Sequence, residues 1–176
     1  ATHRKKDASW TILHTGHDFA KIAAKVSHGN PAIVEQMVML YKDIKRNGLK
    51  HIQYDSLESI LDARLSILKQ ESLQSYRLLC AMSILGHKFY PAMLDNFDNH
   101  TEQEFEQIIE LLVNRGFINQ INNLSFEFKS SDIWKAIVAI VKKNEQFESV
   151  INILYEIISI YKQSSIALLG YIVQKL

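Results

Sequence analysis

Apolar positions recur at helical spacing through most of the chain. Phe19, Ile22, Ala23 and Val26 predict a helix from about Asp18 to His28. Ile33, Val34, Met37, Val38, Tyr41 and Ile44 predict a second, from Pro31 to Arg46, stopping at Asn47-Gly48. Between them stands Ser27-His28-Gly29-Asn30-Pro31. Gly29 suits the end of the first helix, where a left-handed backbone costs it little. Asn30 can cap the second helix, and Pro31 fits its first position because no amide hydrogen is needed there. The stretch reads in two ways. It is an ordinary joint between helices, and it is an open helix N-terminus that a flat or anionic ligand could approach. After a link over 49–54, Asp55 or Ser56 caps a third helix carrying Leu57, Ile60, Leu61, Leu65 and Leu68. Residues 18–69 are therefore expected to form a small helical bundle, with 1–17 as a polar tail and lead-in anchored by Trp10, Ile12 and Leu13.

A second region is expected over 70–143. Leu73, Tyr76, Leu78, Leu79, Met82 and Leu85 make a helix ending at Gly86, apolar over a width that implies burial on more than one side. A short helix is predicted from Pro91 to Phe97. Thr101-Glu102-Gln103-Glu104 matches a capping box and opens a helix with Phe105, Ile108, Ile109 and Leu112 on one face, ending at Arg115-Gly116. There the period changes to two. Phe117, Asn119 and Ile121 are expected on one side of a strand, and Leu124, Phe126 and Phe128 on one side of the next. Asn122-Asn123 would make the hairpin turn between them. Helix, short helix, capped helix and hairpin make the order of a winged helix. Ser130, Ser131 or Asp132 then caps a helix lined by Ile133, Ala136, Ile137 and Ile140. Phe147, Val150, Ile151, Leu154, Ile157, Ile158 and Tyr161 mark a long one, with Ser164-Ser165 as a break before a final segment. The expected class is mainly α: a helical bundle, a winged helix with one β-hairpin, and C-terminal helices over 144–176. A pair of antiparallel helices there would suit an arm or the start of a helical repeat array, though one pair sets no repeat period.

The bulk numbers narrow this picture. With 176 residues, 47% of them hydrophobic, the chain suffices for one sizeable domain or two small ones. A net charge of +1 announces neither a nucleic-acid binder nor a membrane-surface protein. A single cysteine, Cys80, excludes an internal disulfide and suits a reducing compartment, so the expected location is the cytoplasm. No apolar run reaches membrane-spanning length, and Arg4, Lys5 and Lys6 precede no long apolar core of a signal peptide. The start at Ala1 and the helical pattern running to Leu176 suggest a piece of something longer.

Four stretches stand in a telling order: His28-Gly29-Asn30-Pro31; Ser56 to Leu65; Ala81 to Phe89; and Leu111 to Ile118. Together they resemble the region after the nucleotide-binding core in STAND-class signalling ATPases, relatives of the AAA+ proteins. These include large bacterial transcription activators and the ATPase-like regions of some adenylyl cyclases. The resemblance covers roughly residues 18–143. It implies that 18–69 is a helical lid, that a winged helix follows, and that Gly29, Asn30 and Pro31 form the Gly-x-Pro turn lying against the adenine of ATP or ADP. It also implies a role in signal transduction and transcription regulation, with the preceding nucleotide-binding core as the main partner and other proteins reached through the arm. Many relatives place a His-Asp pair at the start of the helix after the wing. Asp132 matches the acid, but Ser131 stands where the histidine would be, so the chain departs from the family's phosphate-sensing pair.

The remaining chemistry is sparse. There is no Gly-rich phosphate loop with Lys-Ser or Lys-Thr, and no apolar strand ends in paired acids, so no catalytic residue is assigned. The chain is expected not to be an enzyme and to need no cofactor or metal by itself; ATP or ADP belongs to the parent. A winged helix invites a DNA-binding reading, as in initiator ATPases where lid and winged helix follow one another similarly. Yet Glu102, Glu104, Glu106 and Glu110 crowd the third helix of that unit, which phosphates would repel. A plain interaction scaffold is the third reading. Lys42, Lys45, Arg46 and Lys50, with His51, form the best anion or nucleic-acid patch, although cations beside a helix C-terminus are also simply favoured by its dipole. His14 and His17 have metal-ligand spacing but no third ligand beside them. Cys80, among Leu79, Ala81 and Met82, reads as a buried inert thiol.

Overall fold

The computed structural model describes residues 16–47, 56–94, 97, 101–122, 125–144 and 147–161. The expectations placed on Lys50, His51, His14, Asn123, Leu124, Ser164 and Ser165 lie outside these residues. In chain order the elements are α1 (Gly16–Ser27), α2 (Pro31–Asn47), α3 (Leu57–Glu71), α4 (Leu73–Leu85), β1 (Lys88–Phe89), a 3-10 turn (Pro91–Leu94), α5 (Glu102–Asn114), β2 (Ile118–Asn122), β3 (Ser125–Phe128), α6 (Ser131–Lys142) and α7 (Phe147–Tyr161). The described residues are mainly helical, with a small antiparallel sheet.

Short polar side chains set the helix starts. Ser56 accepts from the Ser59 amide at 3.1 Å, and Ser59 Oγ accepts from the Ser56 amide at 3.1 Å, a capping box with serine at both ends. Thr101 and Glu104 form the other box: Thr101 Oγ1 accepts from the Glu104 amide, and Glu104 Oε2 accepts from the Thr101 amide at 2.8 Å. Ser72 serves two helices. Its N–H donates to the Leu68 carbonyl at the end of α3, and its Oγ accepts from the Ser75 amide at the start of α4.

Helix α4 is buried on every side, from Ser75 and Tyr76 through Leu78–Leu85, and α3, α5, α6, α7 and β1 all pack on it. Its polar groups are satisfied there: Ser83 Oγ donates to the Cys80 carbonyl at 2.7 Å, and the Ser83 carbonyl accepts from Trp134 Nε1 at 2.8 Å. The sheet order is β1-β3-β2. Phe89 on β1 pairs with Phe126 on β3, and its ring meets those of Phe126 and Phe128 at 6.2 and 5.9 Å.

The hairpin differs from the expected register. Phe117 belongs to the turn that ends α5, not to the strand. The Gly116 amide bonds to the Val113 carbonyl and the Phe117 amide to the Leu112 carbonyl, with Gly116 at φ +67°, a Schellman ending. The strand period therefore starts one residue later. Ile118, opposite Phe128, is fully buried, while Ile121 sits at a register irregularity and is 46% exposed. Ser125 is buried, although it alternates with Leu124, Phe126 and Phe128, which were expected on the one apolar side. Asn122 pairs with Ser125, so it is strand rather than turn.

Two apolar clusters organise the packing, and α3 contributes to both. Leu61, Leu65 and Leu68 join the larger one with α4, α5, the sheet, α6, and Val150 and Leu154 of α7. Ile60 and Ile67, with Ala63 beside them, join Ala23 of α1 and Met37 and Leu40 of α2 in the smaller.

Candidate functional site

At the α1–α2 corner, His28 (φ +47°) and Gly29 (φ +83°) are both left-handed. A hypothetical Gly29 Cβ would have nothing within 4 Å, so glycine is required there by backbone conformation and not by crowding. His28, Gly29 and Pro31 are exposed, leaving the corner open to an approaching surface. The amides around it are engaged. The Gly29 N–H donates to Ser27 Oγ at 3.3 Å and the Asn30 N–H to the Ser27 carbonyl at 2.8 Å. The Ala32 N–H donates to Asn30 Oδ1 at 3.0 Å, and the Ile33 and Val34 amides reach the Asn30 carbonyl at 3.2 Å. With those donors occupied and Pro31 lacking one, the corner suits a flat apolar face better than an anion.

The basic residues lie at the far end of the same helix. Lys42, Lys45 and Arg46 are exposed on the last turns of α2, and Lys45 Nζ stands 4.7 Å from the Tyr41 ring centre, itself 5.1 Å from the Phe19 ring. At 1.5 Å of rise per residue, Pro31 and Lys45 are about 20 Å apart along α2, so corner and patch are two separate surfaces.

Between helices α2 and α3 and the α5–β2 corner lies a buried polar junction that periodicity does not announce. The Arg64 side chain, on α3, is fully buried. It donates to Gln36 Oε1 and to the Arg115 carbonyl, and its Nε lies 3.4 Å from Asp43 Oδ2. Gln36 in turn donates to the Gly116 carbonyl at 2.7 Å. Arg115 pairs with Asp43 and with Glu71, and Lys129 reaches Glu35 at 3.1 Å. The Arg64 guanidinium also lies 4.2 Å from the centre of the Phe117 ring. Burial lowers the Arg64 pKa from 12.5 to about 10, against the opposing pull of Asp43, so the group stays charged at neutral pH. A sequence signal for the junction exists: Gln36, Asp43 and Arg64 occupy positions on the apolar stripes of their helices, three or four residues from Leu40, Ile60 and Leu68.

The other candidates are quiet. Cys80 is buried, and desolvation raises its thiol pKa to about 12, against a hydrogen bond from Tyr76 that lowers it. Among the described residues no group of three or more His, Cys, Asp and Glu could hold a metal ion, and no helix is long and apolar enough to cross a membrane. An open polar groove between α3 and the α6–α7 end is lined by Ser56, Glu58, Ser59, Asp62, Ile140, Lys143 and Asn144. Several of its groups bond to the protein itself, Lys143 to Glu58 at 2.8 Å and Asn144 to the Tyr76 hydroxyl at 2.9 Å. On α5, Glu102, Glu104, Glu106 and Glu110 are all exposed. Compared with known proteins, the chain matches no family model, no curated protein and no solved structure.

Proposed function

We propose that this chain is a non-catalytic regulatory portion of a STAND-type ATPase, in which α1–α3 act as lid and α4 to α6 as winged helix. The observation that carries the reading is the corner at Gly29-Asn30-Pro31: left-handed at Gly29, open to solvent, and presenting a proline ring beside a backbone with no side chain over it. Such a surface can lie flat against a purine. The succession behind it supports the same reading. Helix α4, β1, the short turn, α5 and the β2–β3 hairpin, with β1 added beside β3, follow the order of a winged helix.

In this mechanism the chain performs no bond chemistry. Nucleotide held by a preceding core touches Gly29 and Pro31 and favours one arrangement of lid and winged helix. Nucleotide exchange, or an inducer acting on the C-terminal arm, favours another. The exposed acids of α5 favour protein over duplex DNA as the winged helix's partner. The test uses the longer polypeptide containing the core. Pro31→Ala and Gly29→Val should each weaken ATP or ADP binding about tenfold, equivalent to about 1.4 kcal/mol, by calorimetric titration. Unchanged affinity in both variants overturns the reading.

A further inference from the structure

We propose that the α1–α2 hairpin is a separable unit, latched to the rest of the fold by the buried charge junction centred on Asp43, and that α3 stays behind when the hairpin opens. The lid would then move by its first two helices and not as the whole of residues 18–69. This use in signalling rests on the reading above; the separability does not.

Three observations carry it. First, α3 is held by the larger cluster: Leu61, Leu65 and Leu68 are nearly or fully buried among α4 and its neighbours. Pulling α3 away would expose the main core. Second, the hairpin's buried apolar side chains are few among the described residues: Ala23, Met37 and Leu40, set against Ile60 and Ile67 of α3. Among the described residues of the hairpin, Ala32 is the apolar one packed against the larger cluster. Third, toward the α5–β2 corner the hairpin presents polar groups, namely Glu35 to Lys129, Gln36 to the Gly116 carbonyl, and Asp43 to Arg64 and Arg115. Met39 and Glu35 lie against Gly116, 3.5–3.8 Å from the place a Cβ would take.

A seam of this composition has two well-separated states. Docked, it satisfies a charge set that only one alignment of the helices can pair, so an intermediate alignment leaves Arg64 desolvated without Asp43 and Gln36, its two partners on α2. Undocked, its ions regain water, which an apolar seam could not do at comparable cost. Asp43 is the residue on which this turns. It is the carboxylate facing both arginines, one from α3 and one from α5, so its charge ties the hairpin to both sides at once.

The test is native-state hydrogen exchange of the 176-residue chain in increasing urea. Amides of α1 and α2 should share one opening isotherm, with a smaller urea dependence than the amides of α3–α6 and exchange at least about tenfold faster at low urea. Asp43→Asn should speed exchange in α1 and α2 about tenfold more and leave α3–α6 unchanged. A single isotherm spanning α1 to α6, or an Asp43→Asn variant in which α3 loosens together with α2, overturns the proposal. If Asp43→Asn does not fold, the isotherms of the unmodified chain decide. No nucleotide enters the experiment, so its failure leaves the adenine contact standing, and failure of the Pro31 test leaves the latch standing.

Discussion

Cys80 and Tyr76 face each other one turn apart inside the most buried helix, and burial raises both of their pKa values, the thiol to about 12 from 9.0. The folded state holds these protons more tightly than the unfolded chain does. Their contribution is therefore fully present below about pH 9 and is lost as pH rises toward 12, because the unfolded thiol ionises first. Urea midpoints should fall steeply above pH 9, by at most about 1.4 kcal/mol of stability per pH unit for each group. Cys80→Ala should flatten the onset, and an equally steep curve would remove the thiol as its cause. The inert thiol was legible from the apolar residues around it. Gln36, Asp43 and Arg64 were legible only in part. A polar residue on an apolar stripe is visible in a sequence, but its partner 21 or 28 positions away is not, because pairing depends on how the helices cross.

At the scale of elements, the caps set most of the boundaries. Thr101 and Glu104 start α5 in an exposed setting, where each bond competes with water. Thr101→Ala should therefore destabilise the protein by about 1 kcal/mol, read from the urea midpoint with an unchanged slope. A loss beyond about 3 kcal/mol would mean that the threonine does more than cap. The helices were readable because period and cap agree at Ser56, Thr101 and Ser130, while the Ser72 cap between α3 and α4 went unread. Two features escaped. Strand β1 has two residues, too few for a period to show, and exists because Phe89 packs beside Phe126 and Phe128. The hairpin register slipped by one because the Schellman ending at Gly116 uses Phe117 to finish α5, which adjacent apolar residues in a sequence do not reveal. The corner at Gly29-Asn30-Pro31 was readable for the opposite reason, since each residue type there answers a local backbone need.

At the scale of the molecule, the sharing of α3 between two clusters makes the fold continuous, and the exposed charges of opposite sign are carried by different helices. Exposed acids cover α5, while the exposed cations Lys42, Lys45 and Arg46 end α2. Of the cations near the sheet, Lys88 lies 3.5 Å from Glu127, and Lys129 lies 3.1 Å from Glu35. If α5 entered a major groove, four carboxylates would face the phosphates where a binder needs cations, and each cation held in an ion pair would release fewer counterions on binding. The chain should therefore leave duplex DNA unshifted in a gel at about 50 mM salt, where even non-specific binders with several phosphate contacts are retained. Replacing Glu102, Glu106 and Glu110 together by Lys should create weak, salt-sensitive binding if α5 is otherwise shaped for the groove. Binding by the unmodified chain that disappears with Lys45→Ala or Arg46→Ala would instead place nucleic acid on the end of α2. That result would also separate the nucleic-acid surface from the Gly29 corner by most of the length of that helix.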